Sequence, residues 1–199
     1  MSVDACFYFT SIPNIKIGFR INCDKIVDFL LINIFGRSIG DNQGIWGRYY
    51  YMQGNYFKVL EYLDCAVQLR AYNSLYYWQR AMIYIGLSKN DMALDDLKNA
   101  YDLDSSSMRV LGGLFFMYFS SKQYDSSIYY AKEMVRVDSG QKGAYYMLAN
   151  SYYNFKNYNA TRQNAQYFIE ITEGTNVYNT QREHLLNMIR LISKGPKAP

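Results

Sequence analysis

The sequence predicts an all-α fold, a stack of antiparallel helical hairpins closed at each end by a further helix. Three observations predict it: one pattern recurs every 34 residues, the apolar positions within each unit follow helical spacing, and short polar breaks separate the runs. Tyr50, Tyr84, Tyr118 and Tyr152 stand at that interval. The same offset aligns Tyr56, Asn90, Tyr124 and Tyr158, then Val59, Ala93, Ser127 and Thr161, then Leu69, Leu103, Val137 and Ile171. A fixed period of about 20 to 50 residues is the mark of a repeat array, so it governs how every other residue is read.

Four units follow from the period: 40–73, 74–107, 108–141 and 142–175. In the second, Tyr77, Ala81, Tyr84 and Ile85 fall at i, i+4, i+7 and i+8, and after a break Ala93, Leu97 and Ala100 fall at i, i+4 and i+7. Both runs describe one buried stripe on a helix. The breaks Gln53-Gly54-Asn55, Ser88-Lys89-Asn90, Ser121-Lys122-Gln123 and Lys156-Asn157 suit tight helix–helix connections. Asp104-Ser105-Ser106-Ser107 and Asp138-Ser139-Gly140 end their units, with Ser and Asp expected to cap the next helix and Gly to close the previous one.

The flanks read as caps. Residues 1–39 hold the stretch Lys25 to Gly36, too apolar to remain in water and expected to cover the first hairpin; residues 1–24 show no clear period. Residues 176–199 hold a helix expected over 178–194, with Leu185, Leu186, Ile189 and Ile192 on its buried face, and a basic tail. Stacked repeats need such end pieces to keep their terminal apolar faces out of water.

Composition narrows the setting. At 199 residues the chain is long enough for one domain. Its net charge of +4 is concentrated in the last residues, where Arg182, Arg190, Lys194 and Lys197 face only Glu183. A nucleic-acid surface needs a dense cationic stripe, which the balanced central region does not offer. Cys6, Cys23 and Cys65 are odd in number and far apart, so neither a disulfide framework nor a zinc site is expected, and a reducing, cytoplasmic address fits. Asp4, Lys16 and Arg20 break the pattern of a secretory leader. The apolar stretches Phe29 to Phe35 and Val110 to Phe119 are far shorter than the ~20 residues that cross a bilayer, so no membrane insertion is expected.

On these residues the sequence resembles the tetratricopeptide-repeat family, whose unit is also a 34-residue helical hairpin. The motif is matched by Trp46-Gly47, Tyr50, Gly54, Tyr56, Val59, Leu63 and Ala66 in the first unit, and by Tyr77, Ala81, Tyr84, Ala93, Leu97 and Ala100 in the second. Tyr145, Leu148-Ala149 and Tyr152 match it in the fourth. The departures are specific. Units three and four place Ala131 or Ala165 where the first two have Leu63 or Leu97, and Met134 or Phe168 where those have Ala66 or Ala100. Phe115 occupies a normally small position beside Gly112 and Gly113, which predicts altered packing there. The resemblance implies a right-handed α-solenoid.

It also implies that the first helix of each pair lines a concave groove. Carried over by position, the groove residues are Arg48, Tyr51 and Met52, then Trp78, Met82 and Ile85, then Arg109, Phe116 and Phe119, then Tyr146, Asn150 and Tyr153. Aromatic and methionine side chains supply adaptable anchor pockets, so an apolar or amphipathic peptide segment is the expected guest. The competing reading is that tighter packing, or the stretch Lys25 to Gly36, covers these residues. The clamp with which some family members hold acidic C-terminal peptides is not matched, because Gly44, Arg48, Gln79, Arg109 and Gly113 stand at its places.

Catalytic chemistry finds no constellation. His184, the single histidine, is expected on the solvated side of the last helix, and Cys65 reads as a small packed residue without a nearby base. Asp91, Asp95, Asn99 and Asp102 share one helix face and read as a solvated outer surface. No cofactor and no metal site are expected. The sequence therefore predicts a non-catalytic protein-interaction module, a scaffold or adaptor. A secretion-type chaperone and a regulatory input domain of a larger signalling protein are the alternatives.

Overall fold

A computed structural model describes residues 56–69 and 72–194. The expected cap over Lys25 to Gly36, the groove residues Arg48, Tyr51 and Met52, and the Cys65 side chain lie outside the described residues. The chain divides into two compact units, 1–71 and 72–199. In the first, helix α1 (Tyr56–Leu69) buries Leu60, Leu63 and Ala66, spaced three apart on one face.

The second unit is helical throughout its described residues. It contains α2 (Ser74–Gly86), α3 (Asn90–Leu103), α4 (Met108–Ser120), α5 (Tyr124–Val137), α6 (Lys142–Asn154), α7 (Tyr158–Ile171) and α8 (Asn179–Ser193). First helices begin at 74, 108 and 142 and second helices at 90, 124 and 158, each 34 residues after the last. Helix α2 pairs with α3, α4 with α5 and α6 with α7; each hairpin then packs on the next.

All three hairpin turns are closed by one backbone device. Ser88, Lys122 and Lys156 adopt left-handed conformations, with φ of 57, 60 and 63°. The residue after each donates its N–H back five positions: Lys89 to the Tyr84 carbonyl at 2.8 Å, Gln123 to Tyr118 at 2.8 Å, and Asn157 to Tyr152 at 2.9 Å. Those bonds satisfy carbonyls that a helix C-terminus otherwise leaves open. The carbonyls of Lys89, Gln123 and Asn157 then accept the first bonds of the second helices, from Ala93, Ser127 and Thr161.

The junctions between hairpins correct the expected capping. Ser107 precedes α4 without capping it through its side chain. Instead Asp104 Oδ1 accepts from the Ser106 N–H at 3.1 Å and its hydroxyl at 2.8 Å, and Asp138 Oδ1 accepts from the Gly140 N–H at 2.9 Å. The aspartates fold the junctions into short side-chain turns of the kind that compete with helix. Side-chain caps come from Asn73, which accepts from the Leu75 N–H, and Asn157, which accepts from the Ala160 N–H. Gly140 does not close its helix in a left-handed conformation; among the described glycines only Gly174, with φ of 77°, has positive φ.

Core packing explains the exchanged residues. Leu97 and Ala100 are fully buried in the first of these hairpins, as are Ala131 and Ala165 in the next two, with Met134 and Phe168 at 5% and 0% exposure. The bulky Leu97 needs space across the hairpin junction. A Cβ on Gly113 of α4 would lie 2.7 Å from Leu97 Cδ2 and 3.4 Å from Met82 Cε. One repeat later, small Ala131 shares a cluster with Phe115, Ile128 and Leu148, against which Met147 packs at the place equivalent to Gly113. Volume is thus traded between neighbouring hairpins as well as within one.

A buried ion pair fastens the first of these hairpins. Arg80 donates from Nε to Asp96 Oδ2 and from Nη2 to Oδ1, both at 2.7 Å, and Asp96 is 3% exposed. This two-pronged geometry is the strong form of such a pair. The C-terminal helix α8 packs on α7 and touches α6. Its buried residues are Leu185 and Met188, which join Ala149, Ala165 and Phe168, while Leu186, Ile189 and Ile192 are half-buried. The expected face is therefore turned toward Met188, because α8 meets two helices and not one.

Candidate functional site

The first helices place nine of the expected groove residues in the described region. Helix α2 carries Trp78, Met82 and Ile85, α4 carries Arg109, Phe116 and Phe119, and α6 carries Tyr146, Asn150 and Tyr153. Their intervals of three, four and seven put each trio on one helix face. None of the nine is fully buried. Arg109 and Phe116 are exposed and the rest are half-buried. Phe116, at 45% exposure, is the large apolar side chain most open to solvent among them.

Glycines shape the surface between them. Gly112 lies one turn before Phe116, and a Cβ there would meet nothing within 4 Å; Gly86 and Gly143, also on first helices, are equally open. Gly112 and Gly113 are neighbours in sequence with opposite functions. The first leaves open space beside Phe116, and the second lets α4 approach Leu97. Their spacing alone gave no sign of this division.

Several of these side chains are in contact with neighbours. The Arg109 guanidinium lies over the Trp78 ring, 5.8 Å from its centroid, joining α4 to α2. Phe119 stacks on Phe115 at 5.5 Å and meets Tyr124 edge-on at 5.7 Å. Tyr153 lies 6.1 Å from Tyr158. Asn150 Nδ2 donates to the Tyr146 carbonyl at 2.7 Å, and Asn154 Nδ2 to the Asn150 carbonyl at 2.8 Å, so one helix face carries two tethered amides.

His184, expected to be a solvated residue of the last helix, meets one of these candidate residues. It is exposed, yet its Nδ1 is 3.2 Å from the Tyr146 hydroxyl and its ring 5.9 Å from the Tyr146 ring. Helix α8 thereby contributes to the face formed by α6. No signal in the sequence marked the pair, since the two residues are 38 apart and meet only through the docking of α8.

Among the described residues, no three His, Cys, Asp or Glu side chains converge in a way that could hold a metal ion. Asp91, Asp95, Asn99 and Asp102 are all exposed. No helix among the described residues is long and apolar enough to cross a membrane.

No family model matches the sequence, and no curated protein matches it. Solved structures do. The chain is similar to YrrB, described as a tetratricopeptide-repeat protein with an unusual peptide-binding site, at 15% identity over 71% of each chain with a TM-score of 0.58. It is similar to the type III secretion translocator chaperone SycD of Yersinia enterocolitica, at 14% identity, a TM-score of 0.56, 63% of this chain and 95% of that one. The first tetratricopeptide domain of Spaghetti (RPAP3), bound to the HSP90 peptide SRMEEVD, is 13% identical with a TM-score of 0.52, covering 60% of this chain and 94% of that one. With hairpins recurring at the predicted interval and these structures superposing on them, the chain has the all-α tetratricopeptide-repeat fold.

Proposed function

We propose that this chain is a non-catalytic protein-interaction module that holds an apolar or amphipathic segment of another polypeptide against its first-helix faces, as a scaffold or adaptor. The observation that carries the reading is Phe116, an aromatic ring exposed beside the open surface of Gly112, on the helix whose Phe119 stacks on Phe115 and whose Arg109 lies over Trp78. Rings held before the guest arrives lower the ordering cost of capture. Arg109 and Asn150 supply polar groups that set register, and Trp78, Tyr146 and Tyr153 supply further apolar area. A cytoplasmic address accords with the scattered cysteines.

An acidic C-terminal peptide is the wrong guest for a clamp at the family's usual places. Gln79 is 4% exposed and Gly113 offers no side chain, so neither reaches a ligand carboxylate. The likeness to SycD favours a second reading, a chaperone that shields apolar stretches of an export substrate.

The test is Phe116→Ala against an array of apolar and amphipathic peptides. Helicity stays unchanged, while affinity for the peptides the parent captures falls by more than about 1 kcal/mol, the threshold of a contributing anchor. Equal affinity removes Phe116 from the site. Coexpression separates the two readings, since a chaperone raises its client's soluble yield and an adaptor leaves it unchanged.

A further inference from the structure

The last hairpin and the helix behind it leave a seat open. Helices α7 and α8, with the turn that joins them, line an open groove of about 610 Å³. Ile169 of α7 and Leu186 and Ile189 of α8 form its apolar floor, and Glu170, Glu173 and Glu183 stand around it. The seat is separate from the face bearing Phe116. His184 reaches Tyr146, whereas Leu186, two residues later, points about 200° around the helix from it.

The repeat itself indicates what shape belongs there. Helix α8 packs on α7 and touches α6, as the first helix α4 packs on α3 and touches α2. In each complete hairpin a second helix lies against the first, and it buries residues at i, i+4 and i+7: Ala93, Leu97 and Ala100, then Ser127, Ala131 and Met134, then Thr161, Ala165 and Phe168. Among the described residues no helix takes that place beside α8. Its floor residues Leu186 and Ile189 remain half-buried.

Charge decides which helix suits it. Glu170, Glu173 and Glu183 make no ion pair among the described residues. The Arg182 guanidinium, which also borders the groove, is engaged with the Thr172 carbonyl and Asn179 Oδ1. Three carboxylates against one guanidinium leave the rim acidic. Two copies meeting face to face would set carboxylates against carboxylates, and an anionic lipid surface would be repelled. A cationic helix gains on both counts.

We propose that the seat between α7 and α8 binds an amphipathic helix of a partner protein, apolar at i, i+4 and i+7 and flanked by lysine or arginine, which completes a fifth hairpin in trans. The proposal stands independently of the first-helix site. The test uses the full chain and a labelled helical peptide with leucine at that spacing and lysines on both flanks, with a twin carrying glutamate in place of every lysine. The parent binds the lysine peptide in preference to its twin. The double variant Glu170→Lys/Glu173→Lys, at two exposed positions at the end of α7 and in the turn after it, loses about tenfold in affinity for the lysine peptide and gains for the twin, because like charges across an interface exclude the wrong partner. Leu186→Lys weakens both, and Phe116→Ala changes neither.

Unchanged affinity for the lysine peptide after the charge reversal overturns the proposal, as does equal binding of the two peptides by the parent. Self-association of the parent that Leu186→Lys abolishes would assign the seat to a second copy and also overturn it. So would displacement of the lysine peptide by a peptide of residues 25–36 at a lower concentration than its own unlabelled form requires. Thermal unfolding of each variant shows that the fold is intact.

Discussion

Lys122 illustrates how one residue carries a local cost for the sake of the turn it serves. Its φ of 60° is a conformation that costs an L-residue about 1–2 kcal/mol, and glycine adopts it freely. Lys122→Gly is expected to stabilise the protein by about 0.5–1 kcal/mol after the extra freedom of glycine in the unfolded chain is subtracted. A melting temperature that fails to rise would show that the lysine side chain has a compensating contact. Tyr130 makes a second prediction at this scale. Its ring stacks on Tyr118 at 5.5 Å and meets Tyr101 edge-on at 5.6 Å, and burial, followed by the neighbouring Tyr118 phenol, raises its pKa from 10.0 to about 12. The hydrogen bond between the Tyr101 and Tyr129 hydroxyls, with burial, likewise raises Tyr101 to about 12. A raised phenol pKa means that the folded state holds a proton the unfolded state has released. The contribution is complete below pH 10 and is lost as pH rises toward 12. Unfolding midpoints followed across that window should fall, and Tyr130→Phe should flatten the descent.

Among the elements, α4 depends most on its neighbours. Gly112 and Gly113 each weaken a helix interior by about 1 kcal/mol relative to alanine, but only Gly113 faces an obstacle. Gly112→Ala should therefore stabilise by about 0.5–1 kcal/mol, the propensity difference alone. Gly113→Ala should gain nothing or lose stability, because Leu97 is fully buried and must shift to admit the new carbon. Denaturant unfolding of the two single variants measures the contrast, and equal gains would contradict the close approach of α4 to α3. The helices and their order were legible in the sequence because the tyrosines and the alanine-sized positions repeat at a fixed interval. The exchange of bulk between Leu97 and Gly113 was not, since it is a property of the junction between two units. The turn toward Met188 and the meeting of Tyr146 with His184 were hidden for the same reason: both depend on how α8 lies across α6 and α7. The aromatic content of the first-helix faces could be read by position, but the degree to which each ring is held by a neighbour could not.

For residues 72–194 as a whole, stability is built from nearest-neighbour interfaces, as expected of stacked repeats. Helix α8 seals one end through Leu185, which is fully buried against the cluster of Ala165 and Phe168. Leu185→Ala should cost about 2–5 kcal/mol. It should loosen the structure unevenly, with amide exchange rising in α7 before α3. Uniform acceleration across all seven helices would mean that the hairpins unfold only together. The main packing that joins these helices is between neighbours and between a helix and the next but one. With its main fastenings so near in the chain, a hairpin of residues 72–194 can set on the one before it while the remainder is still being synthesised. Local contacts of this kind also favour fast folding and few long-lived traps. A ribosome-bound chain stalled after α5 should already protect α3 from protease, before the residues of α7 have been translated.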